Sequence, residues 1–275
     1  MQIREYSLPA GWYPRDTGEI SRFIAGIEAD KQKKSRAVIV PHAGWYYSGR
    51  ISALGIKHLQ PDADTVVVIG GHLPSGHPPV FAMEDAVRTP FGSMPIDGEF
   101  RSVLLKQLGG SEDRYRDNTV EVLLPMVHFL FPNANLLWLR LPADAGAYES
   151  GKTISQAAAE LNRKVVAIGS ADLTHYGLNY GFSPKGSGKN ALNWVRDVND
   201  ANLIKAVESE NPDDVLRRAE QDSSTCSAGA VLGVMGFVAA EGIKNTRLLK
   251  YGTSADINGT ETPDSFVGYA AIAYF

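Results

Sequence analysis

Three stretches of this chain carry apolar residues with no polar alternation: Arg36-Ala37-Val38-Ile39-Val40-Pro41, Thr65-Val66-Val67-Val68-Ile69 and Lys164-Val165-Val166-Ala167-Ile168-Gly169. A strand with one wet face alternates apolar and polar residues. Runs like these belong to strands covered on both faces, as in a parallel sheet between helical layers. Residues 135–141 supply a further strand, and helical patterns fall between the strands at 48–58, 98–108, 118–131 and 147–162. The expected fold class is therefore α/β, with a central, mainly parallel sheet flanked by helices. The first two runs, joined by one helix, read as a βαβ unit whose strands are parallel neighbours. Thr17 is the expected cap of a helix over 18–29. Helices are also expected at 191–209, 213–221 and 226–242, the last opened by Cys226. Strands at 247–251 and 266–274 close the chain, antiparallel at a sheet edge. Residues 176–189, rich in Gly and Ser, are the best candidate for a mobile loop. No linker divides residues 1–275, so a single domain is expected.

Composition narrows the function classes. Hydrophobic residues make up 44% of the 275 and charged residues 21%, a globular balance. The net charge of −4 gives no general attraction to phosphate or anionic lipid, so neither nucleic acid nor a membrane is an expected partner. The one basic run, Lys31, Lys33, Lys34 and Arg36, reads as a solvated loop. With a single cysteine, Cys226, no internal disulfide exists. The N-terminus has no secretory pattern, and no apolar run reaches the roughly 18–20 residues of a membrane helix. The expected compartment is the cytoplasm.

Ligands of open α/β sheets bind beyond the carboxyl ends of the strands. At that rim the first run delivers His42, the second His72, and the 164–169 run leads into Asp172 and His175. Neutral imidazoles are the commonest protein ligands for iron, zinc and copper. A third ligand could be Glu121 or Cys226, the latter at a helix N-terminus that favours thiolate. Asp172 and His175 could form an acid/base pair or orient the ligands, or Asp172 could simply cap its own turn. His58, His77 and His128 read as structural or solvated. Walker A, GxGxxG and GxSxG patterns are absent. A Cys226–His nucleophilic pair is a further alternative.

Pro41-His42-Ala43-Gly44-Trp45-Tyr46-Tyr47-Ser48-Gly49, Gly70-Gly71-His72, Glu121-Val122-Leu123-Leu124-Pro125, Ser170-Ala171-Asp172-Leu173-Thr174-His175-Tyr176-Gly177 and Thr225-Cys226 stand in the order and spacing of the Memo family. The start Ala10-Gly11-Trp12-Tyr13 resembles that family too, and the likeness spans nearly the whole chain. Bacterial and archaeal members are often named AmmeMemoRadiSam system protein B. The resemblance implies a fold like that of the LigB-type (class III extradiol) dioxygenases. It implies His42, His72 and Cys226 as metal ligands, with Asp172 and His175 beside them. The metal implied is iron(II), with copper or zinc as alternatives, since thiolate in place of carboxylate favours softer ions. Two departures from the family pattern stand out. Asp117-Asn118-Thr119 replaces Glu-His-Ser, and Ser227 replaces a glycine. The implied function is an iron- or copper-dependent oxidoreductase acting on a small substrate. His175 would be its acid/base, Asp172 its orienter, and Glu121 would line the pocket. The alternatives are a non-catalytic metal- or peptide-binding module using Trp45, Tyr46 and Tyr47, and a hydrolase using Cys226 and His175.

Overall fold

The computed structural model describes residues 1–30 and 34–275. Four parallel strands form its centre, in the order Ala37–Val40, Val165–Ser170, Thr65–Leu73, Asn135–Pro142. Ser265–Tyr274 joins antiparallel beside Ala37–Val40. It also pairs antiparallel with Thr246–Thr253 and with His175–Gly177. Short strands Val80–Phe81 and Ser111–Glu112 extend the opposite edge. The sheet is thus mixed: the two C-terminal strands are antiparallel as expected, and Val80–Phe81 on the opposite edge and His175–Gly177 add antiparallel pairings that the sequence did not place.

The unbroken apolar runs are explained by the packing. Ala37, Ile39, Val67 and Ile69 face one apolar layer, closed by helices Gly146–Glu160 and Ala228–Ala240. Val38, Val40, Val66 and Val68 face a second layer, closed by Thr17–Ala25, Trp45–Lys57 and Leu124–Leu130. The first two layer-closing helices touch almost backbone to backbone. A Cβ at Gly151 would land on the Gly233 carbonyl oxygen. Gly151→Ala should therefore cost about 1–3 kcal/mol, the usual range for overpacking, measured by denaturant unfolding.

Several sequence expectations are corrected. The strands Ala37–Val40 and Thr65–Leu73 are parallel but not neighbours, because Val165–Ser170 lies between them. The handedness rule fixes the hand of a crossover, not the absence of a later strand in the gap. Asp16, not Thr17, caps the first helix, its carboxylate accepting from Glu19 N at 2.7 Å. The 118–131 pattern splits into Asn118–Glu121 and Leu124–Leu130, with Pro125 in the first turn of the second, where its missing N–H costs nothing. The helix expected from Ser48 starts at Trp45. Cys226 stands two residues before its helix, whose cap is Ser227. The 191–209 pattern carries a π-helical segment, Val195–Asp200, between α-helical ones. The expected mobile loop opens with the strand His175–Gly177 and a 3-10 turn, Leu178–Tyr180, and Tyr176 is fully buried. Of the basic run, Lys31 and Lys33 lie outside the described residues. Lys34 Nζ donates to Lys57 O, and Arg36 makes a two-pronged ion pair with Glu241 rather than standing in solvent. Among the described residues no helix is long and apolar enough to cross a membrane.

Candidate metal centre

The inserted strand builds the site. Val40 pairs with Ser170 and Ile69 with Gly169, so the segment Ser170–Asp172 emerges between the strand ends that carry His42 and His72. Their rings meet edge to face, centroids 4.9 Å apart, across that gap. His72 reaches it from a left-handed backbone conformation, φ 58°, a sparsely populated state for a residue with a side chain. The glycine before it is a steric necessity: a Cβ at Gly71 would overlap Ser227, the residue after Cys226. Close approach of these two chains is what brings the cysteine to the histidines.

His42 is buried and held on three sides. Its backbone N–H donates to Asp172 Oδ1 at 2.7 Å, its Nδ1 meets Ser170 Oγ at 3.0 Å, and its Nε2 lies 3.3 Å from Cys226 Sγ. His72 Nδ1 is bonded to Asp117 Oδ2 at 2.9 Å, which leaves Nε2 for the cluster. Cys226 is tied down by its own N–H and by Thr225 Oγ1, both donating to the Asp172 carbonyl. One ligand atom from each of His42, His72 and Cys226 lies within 4.8 Å of the other two. Next to them His175 Nε2 is buried without a hydrogen-bond partner, 3.6 Å from Asp172 Oδ2.

The electrostatics are those of a thiolate among imidazoles. Burial alone would raise the Cys226 pKa, but His42, His175 and His72 outweigh it and hold the thiol well below its usual range. Burial likewise works against charge on the histidines, yet His72 is pushed up to about 10 by Asp117 and Cys226, and His175 to about 10 by Asp172 and Cys226. His42 is raised by Asp172 and Cys226. Asp117 is held well below the usual carboxylate range despite its burial, chiefly by His72 and with help from Thr119 and Arg140.

Behind Asp117 runs a buried ionic chain absent from the sequence reading. Arg140 NH1 lies 3.3 Å from Asp117, and the guanidinium donates to both oxygens of Asp113 at 2.9 Å and to Gly71 O at 3.2 Å. Trp138 Nε1 also donates to Asp113. The only sequence signal was an arginine in the middle of an otherwise apolar strand, a position that demands a partner.

Glu121 is neither a ligand nor a pocket wall. Its buried carboxylate accepts from Ser7 N, Ser7 Oγ, Leu8 N and Tyr13 OH, so it pins the N-terminal segment whose Trp12 lines the cleft. The aromatic trio is split. Trp45 is buried and donates to Val122 O, while Tyr46 and Tyr47 are exposed and packed edge to face. His58 bonds to Leu54 O, His128 to Thr89 Oγ1 and His77 to Pro78 O, and none of them belongs to the cluster. A cleft of about 720 Å³ opens above the histidines, lined among others by Trp12, Tyr47, Asn118, His175, Tyr180 and Tyr269. Asn118 donates its amide to His42 O at 3.0 Å.

Fold and site together define a mixed α/β protein with a His–His–Cys cluster, suited to a metal, at the carboxyl rim of its sheet. Residues 4–273 match the model of the Memo-like protein family, and the chain belongs to that family. It is 30% identical over 280 residues to a MEMO1 family protein of Methanococcoides burtonii, covering 98% of this chain and 99% of that one. A MEMO1 family protein of Pyrococcus horikoshii is 28% identical over 291 residues, covering 98% and 99%. Among solved structures, an uncharacterized protein of Escherichia coli K12 superposes with a TM-score of 0.53 at 14% identity. The match covers 87% of this chain and 100% of that one, and it shows a shared fold.

Proposed function

We propose that this protein binds one transition-metal ion through His42, His72 and Cys226 and acts as an oxidoreductase on a small substrate held in the cleft. Iron(II) is the first choice of metal and copper the second. The observation that carries the reading is the convergence of a stabilised thiolate with two imidazole nitrogens from histidines that line a cleft. The orphaned His175 Nε2 beside them fits a site that expects another occupant. Three protein ligands leave a coordination position for substrate or oxygen, and that is the chemistry a bound metal would supply.

The chain's own residues do the rest. Asp117 fixes the His72 tautomer, as carboxylate partners of ligating histidines do. His175, which Asp172 and Cys226 favour in its protonated form, is placed to donate a proton to a group in the cleft. The single cysteine forms no internal disulfide, so the fold needs no oxidising compartment, which is compatible with the cytoplasm. The hydrolase alternative pairs Cys226 with His175, whose Nε2 lies 3.6 Å from Asp172 Oδ2; thiol alkylation that abolishes a hydrolytic activity, with no effect of chelators, would favour it.

Protonation competes with metal. Because His72 keeps its proton up to about 10 and His42 is also raised, each must release a proton to ligate, whereas Cys226 is already thiolate. Affinity should therefore rise with pH, about tenfold per unit for each proton displaced. Titration calorimetry at pH 6, 7 and 8 reads this directly, and a flat Kd would contradict it. Oxidoreductase activity itself is tested by oxygen uptake of the iron- or copper-loaded protein against a panel of small phenols and thiols. Uptake that disappears in His175→Ala but leaves metal loading intact supports the reading. Full loading with no uptake on any member favours the metal- or peptide-binding alternative.

A further inference from the structure

The candidate metal site is assembled from two segments that arrive from different parts of the chain: Ala171–His175 beyond a central strand, and 222–227, from the last residue of helix Pro212–Asp222 to the start of helix Ala228–Ala240. A π-helical turn touches both. Asn199, at its end, donates its amide to Thr174 Oγ1 at 2.9 Å and to the Asp222 carbonyl at 2.9 Å. One NH2 group with two hydrogens can make both bonds. The next residue, Asp200, accepts from Thr174 N at 3.1 Å and from Thr174 Oγ1, and its other oxygen accepts from Tyr251 OH at 2.7 Å. Thr174 and Asp200 are fully buried, and Asn199 is 4% exposed.

Two consecutive helical residues do not ordinarily converge on one side chain, because an α-helix turns them about 100° apart. Here both meet Thr174, from the π-helical segment Val195–Asp200, and such segments recur at functional sites. The circle closes at the other end, where Thr225 Oγ1 and Cys226 N both donate to Asp172 O. The two loops are thus joined twice, once under the site by Asn199 and once at it by Thr225.

We propose that the π-helical turn Val195–Asp200 is a clamp that sets Cys226 against the Asp172–His175 loop, with Thr174, Asn199 and Asp200 as positioning residues of the metal centre. The metal-binding arm of the test rests on the function proposed above, and the exchange arm does not. Thr174→Val keeps the shape and removes the hydroxyl; Thr174→Ser restores it. In metal-free protein, amide hydrogen exchange over 222–227 should be at least about tenfold faster in Thr174→Val, with Ala228–Ala240 as protected as in the parent chain. In protein loaded with cobalt(II) alone, Kd should weaken about 10–100-fold, the usual cost of losing an outer partner, and the thiolate charge-transfer band should shift or weaken. Thr174→Ser should return all three to parent values. If Thr174→Val does not fold, Asn199→Leu, which removes both amide bonds, must show the same exchange change. Exchange over 222–227 within twofold of the parent overturns the clamp. Parent protein that takes no metal, with exchange still responding to Thr174→Val, overturns the metal reading and leaves the clamp standing.

Discussion

Arg140→Met should destabilise the protein by about 3–5 kcal/mol, the largest single-residue effect expected outside the ligands. The guanidinium is 2% exposed and Asp113 fully buried, so its removal leaves Asp113 without its cation and Asp117 with one fewer. The loss should reach the site as well, because Arg140 also donates to the carbonyl of Gly71, next to His72. Denaturant unfolding measures the first effect, and metal affinity under folding conditions the second. Replacing both partners, Arg140→Met with Asp113→Leu, should recover much of the stability, since an apolar pair of similar volume does not carry a stranded charge. A single-variant loss below about 1 kcal/mol would mean that the chain Asp113–Arg140–Asp117–His72 does not organise this rim of the sheet.

Cys226→Ala should act in the opposite way, with little cost in folding and a large one in binding. The thiolate is the one anion that His42, His72 and His175 share. Without it the histidines lose a stabilising charge, and the His72 and His175 pKa values should drop from about 10 toward the ordinary imidazole range. Metal affinity should fall by more than the roughly 10–100-fold that losing a mere outer partner costs. Imidazole proton NMR across pH 5–11 reads the first change, and calorimetry the second. Unchanged histidine titration would show that Cys226 is not thiolate in the metal-free protein.

The sequence carried the site further than it carried the topology. Unbroken runs such as Val66-Val67-Val68 announced a sheet covered on both faces, and histidines at the ends of two of those runs located the rim. What a local pattern cannot contain is the order of strands across the sheet. Nothing near residue 40 or 70 says that residues 165–170 will fill the gap between them, yet that insertion is why Ser170 and Asp172 contact His42. Glu121 was misread for a related reason. A carboxylate between two valines on a buried helix needs partners, but those partners, Ser7, Leu8 and Tyr13, lie more than 100 residues away in the chain. Asn118, standing where the family carries a histidine, still lines the cleft and ties itself to His42 O, so that change alters the cleft wall without touching the His42–His72–Cys226 cluster. Ser227 stands at the N-cap position of the following helix with its hydroxyl 3.5 Å from Cys226 Sγ.

X-ray absorption at the metal edge, on protein reconstituted anaerobically with iron(II) and in parallel with copper, tests the central claim most directly. One metal per chain, with one sulfur and two or more nitrogen or oxygen neighbours, and with the sulfur contribution lost in Cys226→Ala, is the predicted result. Folded protein that retains no metal, or a metal shell without sulfur in the parent chain, would contradict it.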